Sequence, residues 1–259
     1  MSPAKHISNI HAITLLVLIS GVACQRAETR SAAVTTSSPA GTSTAPSAAS
    51  AERRDEALVR VVHAIPNGPA IDLYAGDLAL FEGINFKSVS SYRAVDGKRY
   101  AFAARPAGMT NAKPLAQNTE GLDDGTYYTV FALPGDDRGA HLRVVPDKLD
   151  RPGDGKARFR VVHGGYGVGA ISVHAPGLVT PLFDKIAFQA VTDYADVATV
   201  NGQIEVRSDG TSTPVVLLPN THLEAGRFYT MMIVGNSEGS PALEAFIIED
   251  RLAPPQTTR

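Results

Sequence analysis

The tetrapeptide Arg-Val-Val-His occurs at residues 60–63 and again at 160–163 of this 259-residue chain. The likeness continues along the chain, so that Tyr128, followed by Thr, stands against Tyr229, also followed by Thr. The offset between the copies shifts slightly while their order is kept, as happens when loops of a duplicated domain gain or lose residues. A period of about a hundred residues is too long for a solenoid repeat and suits whole domains in tandem. The sequence therefore predicts two copies of one module.

The first strand of each copy is predicted from its alternation. Val59, Val61 and His63 fall on one face and Arg60 on the other, and residues 158–163 repeat this arrangement. Alternation with charge on one side is the period of a half-buried strand. Asp-Gly and Asn-Gly turns break the remainder at short intervals, and no stretch within the copies has helical periodicity. These features predict an all-β fold.

The recurring histidines and arginines have opposite predicted roles. His63 and His163 fall on the apolar face, where a buried, hydrogen-bonded histidine is favoured over a metal ligand. The arginines are predicted to lie on solvated strand faces, which also makes them a candidate binding face for an anionic partner: Arg60, Arg160, Arg105 and Arg207.

A second repeated motif predicts the architecture of each copy. Residues 122–128 and 223–229 share the spacing L-x-x-G-x-x-Y before a strand. This spacing resembles the tyrosine corner of Greek-key sandwiches, in which the hydroxyl bonds back across the turn between two sheets. Tyr128 and Tyr229 are therefore predicted to be structural. The sequence indicates two tandem β-sandwiches of seven-strand size, immunoglobulin-like or transthyretin-like.

The N-terminal part predicts export. Residues 1–24 have a basic start, a short apolar run and small residues before Cys24, as in a secretory signal with a lipoprotein-type cleavage site. Acyl chains on Cys24 would anchor the chain in a membrane. A plain signal peptide with an incidental cysteine is the alternative. Gln25 after the cysteine resembles the sorting pattern for the bacterial outer membrane, with the periplasmic and surface faces both open.

Three further segments follow from composition and repeat boundaries. Residues 25–55, rich in Ser, Thr, Ala and Pro, bury too little apolar surface to fold and are predicted to be a disordered tether. The first repeat is predicted at 56–150 and the second at 156–252. A net charge of −2 gives no electrostatic footprint for nucleic acid, and a single cysteine allows no intramolecular disulfide.

Two glycine motifs match the spacing of catalytic or cofactor sites. Residues 235–239 fit G-x-S-x-G around Ser237, but a nucleophile elbow needs a helix after the turn, and a strand is predicted here instead. Residues 165–170 fit the dinucleotide fingerprint G-x-G-x-x-A, again followed by a predicted strand rather than a helix. We therefore predict no catalytic residue and no cofactor.

Metal binding has weak support in the sequence. The spacing typical of metal-ligating histidines is absent around His141, His174 and His222. Loop aspartates supply calcium ligands only if the fold brings them together, and turn-forming Asp is the favoured interpretation: Asp72, Asp123, Asp124, Asp136 and Asp137. No metal site is predicted.

Segments 59–64, 69–74, 86–92 and 105–108 resemble the DUF4397 family of bacterial extracytoplasmic domains. The second copy departs from the pattern, for example with Ser where the first copy has Asp72. The resemblance covers nearly everything after the tether and implies no catalytic residues. The leading interpretation is a non-enzymatic envelope lipoprotein for binding, adhesion or scaffolding, with a polysaccharide or envelope protein as partner. The alternatives are a periplasmic accessory protein for exopolysaccharide modification and, third, a hydrolase using Ser237.

Overall fold

A computed structural model describes residues 56–136 and 139–251, which form sixteen β-strands and no helix. The strands of the first module are β1 (Glu56–His63), β2 (Ile71–Ala75), β3 (Leu78–Ile84), β4 (Arg93–Asp96), β5 (Arg99–Pro106), β6 (Ala116–Gly121), β7 (Tyr127–Pro134) and β8 (Ala140–Pro146). The strands of the second are β9 (Lys156–His163), β10 (Ile171–His174), β11 (Phe183–Ile186), β12 (Ala195–Ala198), β13 (Val200–Ser208), β14 (Pro214–Leu223), β15 (Phe228–Val234) and β16 (Glu244–Glu249). The chain is all-β, as predicted.

Each module consists of two four-stranded sheets. The orders are β4-β1-β7-β8 and β3-β2-β5-β6 in the first module, and β12-β9-β15-β16 and β11-β10-β13-β14 in the second. The central pairs β1–β7 and β9–β15 are parallel, and the other pairs are antiparallel. With the eight strands lettered A to H, both modules have sheets D-A-G-H and C-B-E-F. This is the transthyretin-like alternative, since an immunoglobulin-like sandwich has seven strands ordered A-B-E-D and C-F-G.

The inner faces of the two sheets enclose a separate core in each module. In the first, Val59 and Val61 of β1 are fully buried together with Phe102 of β5. In the second, Phe159 and Val161 of β9 take the corresponding places. Burying each such side chain contributes roughly 1.5–3 kcal/mol to stability. These are the residues that the predicted alternation assigns to the inner faces of β1 and β9.

A third hydrophobic cluster joins the outer faces of the two D-A-G-H sheets. It consists of buried residues from β1, β7, β9 and β15 and the turn after β1: Val62, Ala64, Phe131, Leu133, Val162, Met232 and Val234. Both modules belong to one compact unit. The prediction of a half-buried first strand is therefore wrong, because β1 and β9 are buried on both faces.

Both predicted tyrosine corners are present. The Tyr128 hydroxyl accepts a hydrogen bond from the backbone N–H of Asp123 at 3.0 Å, and the Tyr229 hydroxyl accepts one from Glu224 at 3.2 Å. The glycine of the motif has a physical reason: Gly125 adopts φ +73°, a left-handed conformation that L side chains rarely adopt. Both hydroxyls thus bond back across the turn, the geometry expected of a structural tyrosine corner.

Candidate functional site

The arginines of the repeated tetrapeptide form ion pairs between the modules. Arg60 Nη2 lies 2.5 Å from Asp250 Oδ1, beyond the end of β16. Arg160 Nη2 lies 2.6 Å from Asp147 Oδ1, at the corresponding point after β8. Each arginine thus pairs with the aspartate of the other module. The two pairs are related by the duplication, so the two modules present the same surface to each other.

Threonine and tyrosine side chains complete each half of this network. Arg60 Nε donates to Thr129 Oγ1 at 2.8 Å, and that hydroxyl donates in turn to Asp147 at 2.6 Å. The Tyr92 hydroxyl also donates to Asp147, at 2.7 Å. In the other half, Arg160 Nε donates to Thr230 Oγ1 at 2.8 Å, and that hydroxyl donates to Asp250 at 2.6 Å. The Tyr194 hydroxyl also donates to Asp250, at 2.8 Å. We call these eight residues the intermodule network.

The network raises the pKa of Arg60 and the pKa values of both of its tyrosines. Burial by itself would lower the pKa of Arg60, but the charges of Asp250 and Asp147 outweigh it and raise that pKa. Burial, reinforced by the charge of Asp147, raises the pKa of the Tyr92 hydroxyl, which remains a donor. Removing one member of a buried pair leaves the other uncompensated, at a cost of about 3–5 kcal/mol. Each charged member of the network is therefore needed to compensate its partner while the two modules are in contact.

The predicted solvent-facing set of four arginines is not formed. Arg60 is 3% and Arg160 1% exposed, and both serve the intermodule network. Arg105 and Arg207 lie on the other sheets, where Arg105 donates to the Ala112 carbonyl and Arg207 pairs with Glu205. The prediction that Arg60 and Arg160 are solvated is wrong, because the alternating pattern cannot distinguish water from a second module.

Sequence reasoning missed the other members of the network, although the repeat contained a signal for them. Thr129 and Thr230 follow the corner tyrosines, and Tyr92 stands against Tyr194. Asp147 and Asp250 both lie just beyond the last strand of their module. Polar side chains that recur at matched positions in both copies, beside a recurring arginine, are the pattern that would have identified a shared buried network.

His63 and His163 lie in the interior and hold the loops that follow their strands. His63 Nδ1 accepts from the Ile65 N–H at 3.2 Å, so its Nε2, 3.0 Å from the Pro69 carbonyl, is the donor. His163 repeats this with the Gly165 N–H and the Gly169 carbonyl. Burial lowers the pKa of both rings, which keeps them neutral. Both rings are thus buried and hydrogen-bonded, the environment expected of a structural histidine.

A cleft of about 640 Å³ opens between the modules at one end of the unit. The central strands β1, β7, β9 and β15 all run toward it, since the loops after each contribute to its lining. The lining is Ile65, Pro66, Asn67, Gly68, Pro69, Leu115, Pro134, Gly139, Ala140, Tyr166, Asn236, Glu238, Gly239 and Ser240. Apolar walls with a few polar groups are the usual composition of a binding pocket.

Hydrogen bonds beside the cleft cross from one module to the other. The Asn67 amide donates to the Ser240 carbonyl, and the Tyr166 hydroxyl donates to the Asp136 carbonyl at 3.0 Å. Gln189 also donates to the Asp136 carboxylate, at 3.0 Å. The cleft therefore has walls from both modules in a fixed relation.

The two glycine motifs contact each other and form no catalytic set. Ser237 lies in the hairpin loop between β15 and β16, and its hydroxyl donates to the Gly167 carbonyl at 2.9 Å. A Cβ on Gly167 would lie 2.4 Å from that hydroxyl, so the glycine is explained by close approach. The fingerprint loop leads into β10 instead of a helix. In the described ranges, Ser237 has no hydrogen bond to a histidine or carboxylate.

Among the described residues, the predicted loop aspartates do not form a group that could hold a metal ion. The Asp72 carboxylate accepts from the Gly83 and Gly108 N–H groups at 2.7 and 2.8 Å, and Asp123 belongs to a tyrosine corner. Asp137 lies outside the described residues. Across 56–136 and 139–251, no three His, Cys, Asp or Glu side chains form a group that could hold a metal ion.

The N-terminal predictions fall on residues that lie outside the described part of the chain. Cys24, the signal sequence and the 25–55 tether precede residue 56, where the described chain begins. Within the described ranges there is no helix with the length and hydrophobicity of a membrane span.

Comparison with known proteins places the chain in a family. No curated protein matches it. A solved structure of a proposed cell adhesion protein from Bacteroides ovatus matches 76% of this chain and 95% of its own, at 10% identity and a TM-score of 0.22, a likeness too distant to carry an argument. The sequence model of the domain of unknown function DUF4397 matches residues 57–174 and 179–259, consistent with two copies in tandem. The chain belongs to the DUF4397 family.

Proposed function

We propose that this chain is a non-enzymatic binding module of the cell envelope, tethered through lipid on Cys24, which holds a partner in the cleft between its two sandwiches. One observation carries the proposal: the cleft is built jointly by loops of both modules, which the intermodule network holds in place. A preorganised site of this kind loses little conformational entropy on binding. A polysaccharide or an envelope protein remains the expected partner.

The direction of the strands supports the tethered arrangement. β1 begins at Glu56, directly after the predicted tether, and runs to the loop at 65–69 that lines the cleft. The described chain thus begins at the end of the sandwiches opposite the cleft. An attachment before residue 56 therefore leaves the cleft accessible to a partner in the envelope.

The shared cleft changes what the duplication contributes. Two independent sites would raise avidity toward a repetitive ligand. Here the loops of one module supply only part of the lining, and separating the modules would also expose the buried charges of the network. The duplication therefore serves to build one site, and a test by cutting the chain in two would confuse lost binding with lost folding.

Single substitutions in the intact double module give a cleaner test. The chain without residues 1–24 is immobilised and incubated with three probes: purified murein sacculi, extracted envelope polysaccharide and solubilised outer-membrane proteins. We expect one probe to be retained, and Tyr166→Ala in the cleft to reduce retention about tenfold. The matched control is Leu78→Ala, an exposed apolar residue on β3, near Glu56 at the opposite end. Equal retention by Tyr166→Ala, or no retention of any probe, contradicts the proposal.

The non-enzymatic part has its own measurement. Hydrolysis of p-nitrophenyl acetate is compared between the native chain and Ser237→Ala. Because Ser237 donates to a backbone carbonyl and has no base beside it, we expect identical background rates. A native rate above background that Ser237→Ala abolishes would restore the hydrolase alternative.

The anchoring is tested by mass spectrometry of the mature N-terminus from a native bacterial host. The expected terminus is a lipid-modified Cys24. An unmodified terminus at any other residue rejects the lipid anchor and leaves the cleft proposal standing.

A further inference from the structure

A strip of polar side chains runs across the outer face of the C-B-E-F sheet in the second module. Its members, here called the polar strip, lie on β10 and β13: Ser172, His174, Gln203, Glu205 and Arg207. They face away from the core, since Ile204 and Val206 between them are fully buried. Neighbours pair across the strands, with Ser172 opposite Arg207 and His174 opposite Glu205. Sheet register therefore aligns the strip, with Ser172 buried and the other four side chains at least partly exposed.

Hydrogen bonds hold the strip in place. Ser172 Oγ lies 2.9 Å from His174 Nε2. Arg207 donates to Glu205 Oε2 at 2.6 Å through Nη2 and at 3.1 Å through Nε. Gln203 approaches the other carboxylate oxygen of Glu205 at 3.5 Å. A ligand would meet donors and acceptors already oriented.

The strip forms part of a cavity of about 320 Å³ bordered by exposed apolar residues. The loop after β10 supplies one wall, where Leu178 is 46% and Val179 99% exposed. On the other side of β13, Val215 and Leu217 of β14 are exposed on the same face. The volume lies at the lower end of the range for small-ligand pockets, about 300 Å³ and above. Exposed apolar residues beside oriented polar groups indicate a binding surface.

The first module has the same sheet without the strip. Asp72 and Tyr74 stand where the second has Ser172 and His174, and the partner strand β5 supplies Ala103 and Arg105. The Arg105 guanidinium lies 5.6 Å from the centre of the Tyr74 ring. Two copies with one fold thus differ at this face, so the fold itself does not require the polar strip.

The strip carries little net charge. The hydrogen bond from Arg207 lowers the pKa of Glu205, so this carboxylate is ionised and pairs with the guanidinium. Burial and the charge of Arg207 lower the pKa of His174, which keeps its imidazole neutral near neutral pH. Asp184 and Lys185 of β11 stand next to each other with opposite charges. Such a surface has no excess charge with which to attract an ion and many groups that can bond hydroxyls.

We propose that the polar strip binds a neutral oligosaccharide, with sugar hydroxyls on Glu205, Arg207 and His174 and sugar C–H groups against the exposed Leu and Val side chains. Aliphatic contacts suit a chain without tryptophan and with few aromatics. The site is separate from the intermodule cleft and does not depend on the function proposed for it.

Titration calorimetry on the chain without residues 1–24 tests this site. The probes are maltohexaose, cellohexaose, mannohexaose and chitohexaose, with oligogalacturonate as a charged comparison. We expect at least one neutral hexasaccharide to bind, and Arg207→Ala and His174→Ala each to weaken it by about tenfold, the effect of a lost hydrogen bond to a charged or fixed group. Arg105→Ala, at the matched position of the first module, is expected to bind like the native chain.

Three outcomes overturn the proposal: none of the neutral probes binds, only oligogalacturonate binds, or Arg207→Ala binds as the native chain does. Circular dichroism shows whether each variant is folded. Should Arg207→Ala fail to fold, His174→Ala decides, because His174 is one of the proposed sugar contacts and bonds only Ser172 within the strip. Unchanged affinity in a folded His174→Ala would then reject the site.

Discussion

The outer faces of the two sheets in the second module look alike in sequence and have opposite surroundings. Arg160 on β9 and Arg207 on β13 both alternate with core residues of their strands. The Arg160 side chain is 2% exposed and pairs with Asp147 of the other module. The Arg207 side chain is 29% exposed and pairs with Glu205, two residues away on its own strand. One face is an interface and the other is exposed to solvent.

The difference shows what an arginine on a strand needs in order to be buried. Arg160 pairs with Asp147 of the other module and donates to Thr230 of its own, and its guanidinium carbon lies 4.4 Å from the centre of the Tyr194 ring. Such complete pairing offsets the desolvation of a buried charge. The Arg207 guanidinium pairs with Glu205 and keeps contact with water.

The largest expected effect is the loss of a buried arginine. Arg60→Ala leaves Asp250 buried without its ion-pair partner and is expected to lower the free energy of unfolding by about 3–5 kcal/mol. Urea denaturation, followed by far-ultraviolet circular dichroism, measures this loss. A loss below about 1 kcal/mol would mean that the buried position does not depend on pairing.

A smaller effect is expected from pH through the histidines on the inner face of β1 and β9. Burial lowers the pKa of His63 and His163 in the folded chain below 6.5, so the unfolded chain binds these protons first. Their contribution to stability is complete above about pH 6.5 and is lost as the pH falls through the lower folded values. Lowering the pH from about 8 to about 5 should therefore lower the urea midpoint of unfolding, and less steeply in His63→Gln. Midpoints that rise on acidification would contradict the buried neutral state.

The smallest effect is expected on the open face. Arg207→Ala removes a solvent-exposed ion pair, which contributes little, and should shift the melting temperature by at most about 2 °C. Thermal melting beside Arg160→Ala gives the comparison directly. Equal losses for the two variants would remove the distinction between the faces.

The architecture of each module could be predicted because its signals are local. The alternation in β1 identifies Val59 and Val61 as core, and the L-x-x-G-x-x-Y spacing places Tyr128 at a corner. The choice between immunoglobulin-like and transthyretin-like sandwiches could not be made, since it depends on strand order. The parallel pairing of β1 with β7 joins segments about seventy residues apart, for which one sequence carries no local signal.

The interface and the cleft could not be predicted from the sequence, for a different reason. The environment of Arg60 depends on Asp250, at the other end of the second module. A strand pattern reports which side chains share a face and not what covers that face. The recurrence of Thr129 and Thr230 beside the corner tyrosines was visible, but its meaning required the two modules to be in contact.

A double-mutant cycle across the interface shows whether reciprocal buried ion pairs join the two modules. Arg60→Met, Asp250→Leu and the double variant are compared with the native chain by urea denaturation. We expect the double variant to be more stable than the sum of the single losses implies, by about 2 kcal/mol or more, because each single change leaves one buried charge unpaired. Losses that add to within about 0.5 kcal/mol would contradict it.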